Sequence, residues 1–534
     1  MIMEKTYKVL HLFCGIGGGS IGFANAQENY RGIQGKFENI CGIDVDPEAC
    51  EDYQNLTGNR AENLDLFSRE QYIQFHGKQP PESWEEITPG KLRKIVGDIP
   101  DVIFTSPPCK GFSGLLPEAS AKTQKYQALN KLTVRSIQLI LEAYSDNLPA
   151  LILLENVPRI TTRGKHLLEQ IKQQLELFGY AINDDRNNYH DCGEIGGLAQ
   201  KRKRYLMIAR NPAKLDAFVY KPPTLKLKSI GEVLGNLPLP GQGKYGKLHQ
   251  LPNLQWKTWV RLALIPAGGD WRDLENCDWE KYIITQSPGP LSVKVSNPST
   301  GFKSDTHHAI YRVQKWDDTG KTVTGAMRPN NGAPCIADPR LDHQKGRYTN
   351  KWQVLKWDGQ ATTVTGTQDI QAGAQSIEDP RLTCSPRAGT MGVQKWDEPS
   401  KTVIGAGDIH AGSAAVADPR IPEETQQGVF IIIAEDGTWH RPLTTLELGV
   451  LQSLPLTLYS GEPLKLAGNS DARFRERIGN MVPPAAAQAI ADTMLRTLLA
   501  NESGEWLMSG EEIWVTPYNE NEYAEVQGEV DYDS

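Results

Sequence analysis

YKVLHLFCGIGGGSIGFANAQ, residues 7–27, decides how the chain is read. YKVLHLF is a strand-like apolar run, the glycines after it permit a tight turn, and GSIGFANAQ can open a helix. Strand, glycine-rich turn and helix make the first unit of a parallel α/β sheet. Phe13, Gly15, Gly17 and Gly19 lie in that turn, where missing side chains let the backbone approach a ligand closely. A plain tight turn explains the same residues.

The pattern continues outward. ENICGID (38–44) is the next strand, and it ends on Asp44, placed to bind ribose hydroxyls of a nucleoside-containing cofactor. The glycine loop alone does not separate NAD from S-adenosylmethionine. PEACEDYQNLTG (47–58) reads as a helix with proline in its first turn. Residues 58–97 are polar and irregular and read as an insertion. DVIFT, ALILLE and RYLMIA are further buried-type strands, separated by helical NKLTVRSIQLILEAY and RGKHLLEQIKQQLELFG. The expected fold class is therefore α/β, with a Rossmann-like parallel sheet.

Composition sets the outer limits. The 534 residues suggest a large domain with a smaller partner. Hydrophobic content of 39% and charged content of 23% describe an ordinary soluble chain. No apolar run approaches the ~18 residues of a membrane span, and MIMEKTYKVLHLF lacks a basic, cleavable leader, so an intracellular, cytoplasmic protein with no membrane partner is expected. The eight cysteines form no CxxC pair and no zinc-type cluster, so no metal is expected and each thiol is judged alone. The net charge of −8 is uneven: residues 501–534 hold ten acidic residues and no Lys or Arg, leaving +2 on the remainder. That balance permits a nucleic-acid partner without requiring one.

Beyond about residue 215 helical periodicity fades and an internal repeat appears. VQKWDDTGKTVTG, VLKWDGQATTVTG and VQKWDEPSKTVIG each lead to a DPR tripeptide, with tryptophans at 316, 357 and 396. TVTG segments bounded by glycine and Asp-Pro favour short strands and hairpins. RPLTTLELGVLQSLP restores a helical pattern from residue 441, and the acidic end reads as a flexible tail.

Three further places carry chemistry. Cys109 follows the third strand-like run, stiffened by Pro107 and Pro108 and flanked by Gly111 and Gly114. A thiolate held there suits nucleophilic attack, although a packing cysteine is the better reading of that residue alone. Glu155 ends another apolar strand at the same edge, where a partly desolvated carboxyl can donate a proton; a helix-capping acid is the alternative. Arg202 and Arg204, two apart in QKRKR, would share one face of a strand and suit a phosphate or a base carbonyl, or else form a solvated basic edge.

FCGIGGG, PPCKGFSG, ENV, QKRKR, RPLTTLELGVLQSLP and GNMVPP occur in the order found in DNA (cytosine-5-)-methyltransferases, and the chain resembles that family over residues 7–490. The resemblance implies a class I methyltransferase sheet and a β-rich target-recognition domain. Residues 1–215 would bind S-adenosylmethionine and carry catalysis, 216–435 would recognise the target, 436–500 would return to the first domain, and 501–534 would be the tail. Cys109 would attack C6 of a cytosine flipped out of double-stranded DNA. Glu155 would assist at N3, Arg204 would hold O2, and Arg202 would anchor the loop or the DNA backbone. Phe13, with Gly15, Gly17, Gly19 and Pro107 around it, would lie against the adenine. Asp44 would bind ribose, Asp98 the adenine amino group, and Asn480 and Val482 would close the pocket. Lys110 stands where the family usually has glutamine. A monomer, with a restriction endonuclease as genetic partner, is expected. The rivals are an RNA cytosine-C5 methyltransferase and an inactive DNA-binding protein; a dehydrogenase has no use for PPC or ENV.

Overall fold

The computed structural model describes residues 3–108, 123–182, 188–216, 219–251, 393–401, 439–504 and 512–515, with short pieces between 264 and 418. Its centre is one sheet built from β1 (Met3–Leu12), β2 (Gln27–Tyr30), β3 (Ile33–Asp44), β4 (Ala61–Asn63), β5 (Val102–Thr105), β6 (Leu151–Asn156), β7 (Ala181–Ile182), β8 (Tyr189–Asp191) and β9 (Lys203–Arg210). The order is β2-β3-β1-β5-β6-β9-β7, with β4 beside β3 and β8 beside β9. β1 pairs in parallel with both β3 and β5, and β5 with β6. Strand order reverses around β1, and a crevice outside the carboxyl ends at such a point is where ligands bind.

The sheet is mixed rather than parallel throughout. β9 runs antiparallel to β6 and to β8. The reversal has a functional consequence: it brings the beginning of β9, where the arginines lie, to the edge where β6 ends.

Both faces of the sheet are covered, as its alternation requires. Leu10, Leu12, Ile103, Ile152 and Leu154 point into one core with the helices Gln124–Ala143 and Lys165–Leu177. Val9, Val102, Phe104, Leu151 and Leu153 point into the other, against Gly18–Asn25 and Pro484–Ser503. The 58–97 segment is no irregular insertion. It contains β4, a helix Arg69–His76 opened by a Ser68/Gln71 capping box, and a helix Pro89–Val96 capped by Thr88. Leu66, Phe67, Tyr72, Ile87, Leu92 and Val96 are sparse in sequence, yet all are buried in the first core. Arg135 fastens the segment by donating to the Leu66 and Ile87 carbonyls and to Glu86 at 2.7 Å.

The chain divides into two compact units, 1–293 with 388–423 and 431–534, and 294–387 with 424–430. The second is narrower than 216–435, because residues 216–293 and the third repeat belong to the first unit. β10 (Val219–Tyr220) is followed by three like pairs: β11 (Val313–Gln314) with β12 (Cys335–Ile336), β13 (Val354–Lys356) with β14 (Ser376–Glu378), and β15 (Val393–Lys395) with β16 (Ala415–Asp418). Each pair is parallel with the same sequence offset, so the repeat is a structural one. In each pair the first strand precedes the WD dipeptide; the TVTG and TVIG segments, for which the hairpins are expected, lie outside the described residues, as do Trp316 and Trp357. In the third copy β16 also pairs with β17 (Trp439–Pro442), and Trp396 packs against the helix Ile230–Leu234.

The acidic end is not wholly a free tail. The last helix runs to Ser503, and β18 (Ile513–Val515) pairs with β10. Trp514 is buried, donates from Nε1 to Asn188 Oδ1 at 3.1 Å and meets the His190 ring at 4.7 Å. The apolar tripeptide IWV outweighs its acidic surroundings because burying an indole stabilises far more than a few solvated carboxylates cost. Trp514→Phe keeps most of the packing but leaves Asn188 Oδ1 without its donor. A loss of about 1–3 kcal/mol in urea unfolding is expected.

Candidate active site

Register brings the motifs together. Leu12 lies beside Ile43 on one side and Thr105 on the other, and Thr105 beside Leu154. Phe13, Asp44, Ser106 and Glu155, each one residue further, therefore emerge at one carboxyl edge. Ser106 Oγ donates to the Phe13 carbonyl at 3.1 Å, joining the first and third of these strand ends.

The glycine loop divides its work. Phe13 has φ of 53°, uncommon for a residue with a side chain, and Gly15 has φ of 51°. Space above Gly15 is open, with no atom within 4 Å of where a Cβ would stand. Gly18 serves packing instead: a Cβ there would meet the Val482 carbonyl at 2.1 Å. Gly17 and Gly19 likewise sit against Tyr53 and Phe104. Asp44 Oδ2 accepts from the Gly15 amide at 2.9 Å, and Oδ1 from the Asp46 amide at 2.9 Å. Burial pushes the Asp44 carboxyl above its usual range, against the pull of those amides. An open glycine cradle beside a half-buried carboxylate with lone pairs to spare fits a ribose-bearing cofactor.

Glu155 and Arg204 meet directly, Oε1 to Nε at 2.7 Å, both side chains nearly covered. Their neighbour Asn156 donates from Nδ2 to the Pro107 carbonyl at 3.4 Å and accepts from the Val157 amide. ENV is thereby tied to PPC. Cys109 and Lys110 lie outside the described residues, which reach Pro108 on that side. Rival thiols are poor nucleophiles: burial pushes Cys41 to about 11, Cys50 and Cys192 to about 12, and Cys14 well above its usual value.

Arg202 does not share Arg204's setting. Its guanidinium is buried and donates from Nη2 to the Gly479 carbonyl at 3.0 Å and the Met481 carbonyl at 2.8 Å. It grips the GNMV turn on both sides of Asn480, whose side chain is exposed, while Val482 is buried against Gly18. The third repeat braces the same stretch: the Lys201 amide donates to the Ser400 carbonyl, and Ser400 returns a bond to Ala199.

Asp98 is not brought to this edge. It precedes β5 at the opposite end of the sheet and pairs with Lys8 at 2.7 Å, which holds its carboxyl below the usual range. Two residues that the sequence reading passed over do lie here. Val45 follows Asp44 and is 61% exposed, and Asn63 ends β4 with Nδ2 donating to the Asp44 carbonyl at 3.2 Å. A solvated valine directly after the acid in GIDVDP was the available signal. Among the described residues no cluster of His, Cys, Asp or Glu could hold a metal, and no helix is long and apolar enough to cross a membrane.

Residues 7–251 match the family model described as C-5 cytosine-specific DNA methylase. The type II methyltransferase M1.HphI of Haemophilus parahaemolyticus is 26% identical over 356 residues, covering 62% of this chain and 84% of that protein. M.XorII of Xanthomonas oryzae pv. oryzae is 24% identical over 258 residues, 47% of this chain and 49% of that one. M1.HgaI of Avibacterium volantium is 26% identical over 231 residues, 42% and 57% of the two chains. The family match runs from the first strand past Arg204, so the strand ends, Asp44, Glu155 and both arginines fall inside it. Over residues 7–251 the chain matches the C-5 cytosine-specific DNA methylases, and it is similar to the type II methyltransferases named above.

Proposed function

We propose that the chain methylates C5 of a cytosine within one specific sequence of double-stranded DNA, taking the methyl group from S-adenosylmethionine. The observation that carries this reading is the Glu155–Arg204 pair at 2.7 Å on the edge that also holds Asp44 and the glycine cradle. Cytosine C5 is a weak nucleophile until C6 is saturated. The Cys109 thiolate adds to C6, Glu155 supports charge at N3, and Arg204 holds O2. C5 then takes the methyl group, loses its proton, and expels the thiolate to restore the aromatic ring. None of these groups reaches a stacked base, so the cytosine is extruded at a cost of a few kcal/mol.

The sulfonium cofactor supplies an activated methyl group. Asp44 would hold its ribose, Phe13 and Val45 its adenine, and Asn63 takes the place first given to Asp98. Asn480 and Val482 close the pocket, and Arg202 fixes their turn rather than touching DNA. Residues 216–435 form the target-recognition region. The type II names of the relatives support a restriction-modification role with an endonuclease as genetic partner, acting as a cytoplasmic monomer. Labelled methyl transfer from S-adenosylmethionine to duplex DNA and to transfer RNA tests the reading. Labelling of DNA alone is expected; labelling of RNA alone would overturn it.

A further inference from the structure

The helix Asp471–Asn480 lies against the start of the helix Pro47–Thr57 through two arginines. Arg473 Nη2 donates to both Asp46 carboxylate oxygens at 3.0 Å, and its Nε to Glu48 Oε2 at 2.8 Å. Arg477, almost fully buried, donates to the same Glu48 oxygen at 2.9 Å and stands 3.2 Å from Asp52 Oδ2. Asp52 Oδ1 in turn accepts from the Ala467 amide at 2.6 Å. Gly468, at φ +85°, passes so close that a Cβ there would stand 2.5 Å from Glu48 Oε1.

This network ends at the cofactor edge. Asp46 caps its helix by accepting from the Glu48 amide at 3.1 Å, and its own amide donates to Asp44 Oδ1 at 2.9 Å. Arg473 therefore touches Asp46, and Asp46 touches Asp44. Four carboxylates, Asp44, Asp46, Glu48 and Asp52, crowd this turn and the helix after it, and two guanidiniums face the last three of them. Neither arginine has a part in the chemistry set out above.

We propose that Arg473 and Arg477 form a latch through which the helix Asp471–Asn480 holds Asp44 in place for the cofactor's ribose. Both are positioning residues that touch neither cofactor nor DNA. The latch rests on the reading of Asp44 as the ribose acid. It also links the two ends of the chain: the segment that closes the pocket over Asn480 carries, on the same helix, the arginines that set the ribose acid.

Charge gives the latch a signature that a merely structural brace lacks. The charged or titratable groups facing Asp44 are Asp46 and the Cys14 and Cys50 thiols, and the Asp46 carboxylate raises the Asp44 carboxyl. Removing Arg473 leaves the Asp46 carboxylate uncompensated, so Asp44 takes up its proton at a higher pH. The acid limb of cofactor affinity then moves toward neutral pH.

The test is equilibrium binding of S-adenosylhomocysteine to the full chain across acid and neutral pH, by calorimetry, for wild type, Arg473→Ala, Arg473→Lys and Asp44→Asn. Arg473 is half-exposed, so its removal should leave the melting temperature nearly unchanged. Arg473→Ala is expected to weaken binding about 2- to 5-fold, to shift the acid limb upward, and to raise KM for the cofactor while kcat stays. Arg473→Lys should recover part of the affinity. Unchanged affinity and an unmoved acid limb in Arg473→Ala would overturn the latch. Full affinity in Asp44→Asn would instead overturn the ribose reading beneath it.

Discussion

Cys109→Ser is expected to abolish methyl transfer, by about 10⁴-fold or more, while the far-ultraviolet spectrum and melting temperature stay unchanged. A serine hydroxyl in the same place is far less nucleophilic than a thiolate, and C6 of cytosine is a poor electrophile. No described thiol can substitute, because burial holds Cys14, Cys41, Cys50 and Cys192 in the protonated form. The fold should not register the change, since β5 ends at Thr105 and Pro107 is held through its carbonyl by Asn156. Labelled methyl incorporation into duplex DNA reads the effect. Retained turnover would remove Cys109 from its role.

Arg441→Leu is expected to cost about 3–5 kcal/mol of stability. Arg441 and Glu447 are completely buried and joined by two bonds, Nη1 to Oε2 at 2.9 Å and Nη2 to Oε1 at 2.7 Å. Glu447 also accepts from the Thr444 amide, and Thr444 Oγ1 meets His249 Nδ1 at 2.9 Å, so RPLT anchors a polar network inside an apolar cluster. Burial would raise the Glu447 carboxyl, but Arg441 and the Thr444 amide more than offset it and hold it below the usual range. With the folded value depressed, this contribution is present at neutral pH and is lost as pH falls through the carboxylate range. The single change strands a buried carboxylate; changing Glu447 to leucine as well removes that penalty and should cost less than Arg441→Leu alone. Urea unfolding of the two variants distinguishes them. A single variant within about 1 kcal/mol of wild type would contradict the network's place in the core.

Much of the site was legible because its residues sit where strands end. Phe13, Asp44 and Glu155 each close an apolar run, and ends of neighbouring parallel strands meet whatever lies between them. Asp98 misled for the same reason in reverse. GDIP stands immediately before a strand, so its aspartate belongs to the opposite edge, while Asn63 closes a strand too short to stand out by periodicity. The arginines needed a reversal that no local pattern announces: only an antiparallel β9 sets Arg204 beside Glu155, and Arg202, two residues earlier, turns instead to the GNMV carbonyls. Trp514 and the 58–97 helices were hidden by composition. A few apolar residues among many polar ones suffice for burial when the rest face water, and mean polarity does not reveal which do.

The most direct test of the covalent mechanism is duplex DNA carrying 5-fluorocytosine at a cytosine shown by bisulfite sequencing to be methylated. With S-adenosylmethionine present, the wild-type chain should form a complex that survives denaturing electrophoresis, because fluorine at C5 cannot leave as a proton does. Cys109→Ser should form none. Full methylation activity with no trapped complex at that proven site would contradict a thiol–C6 bond.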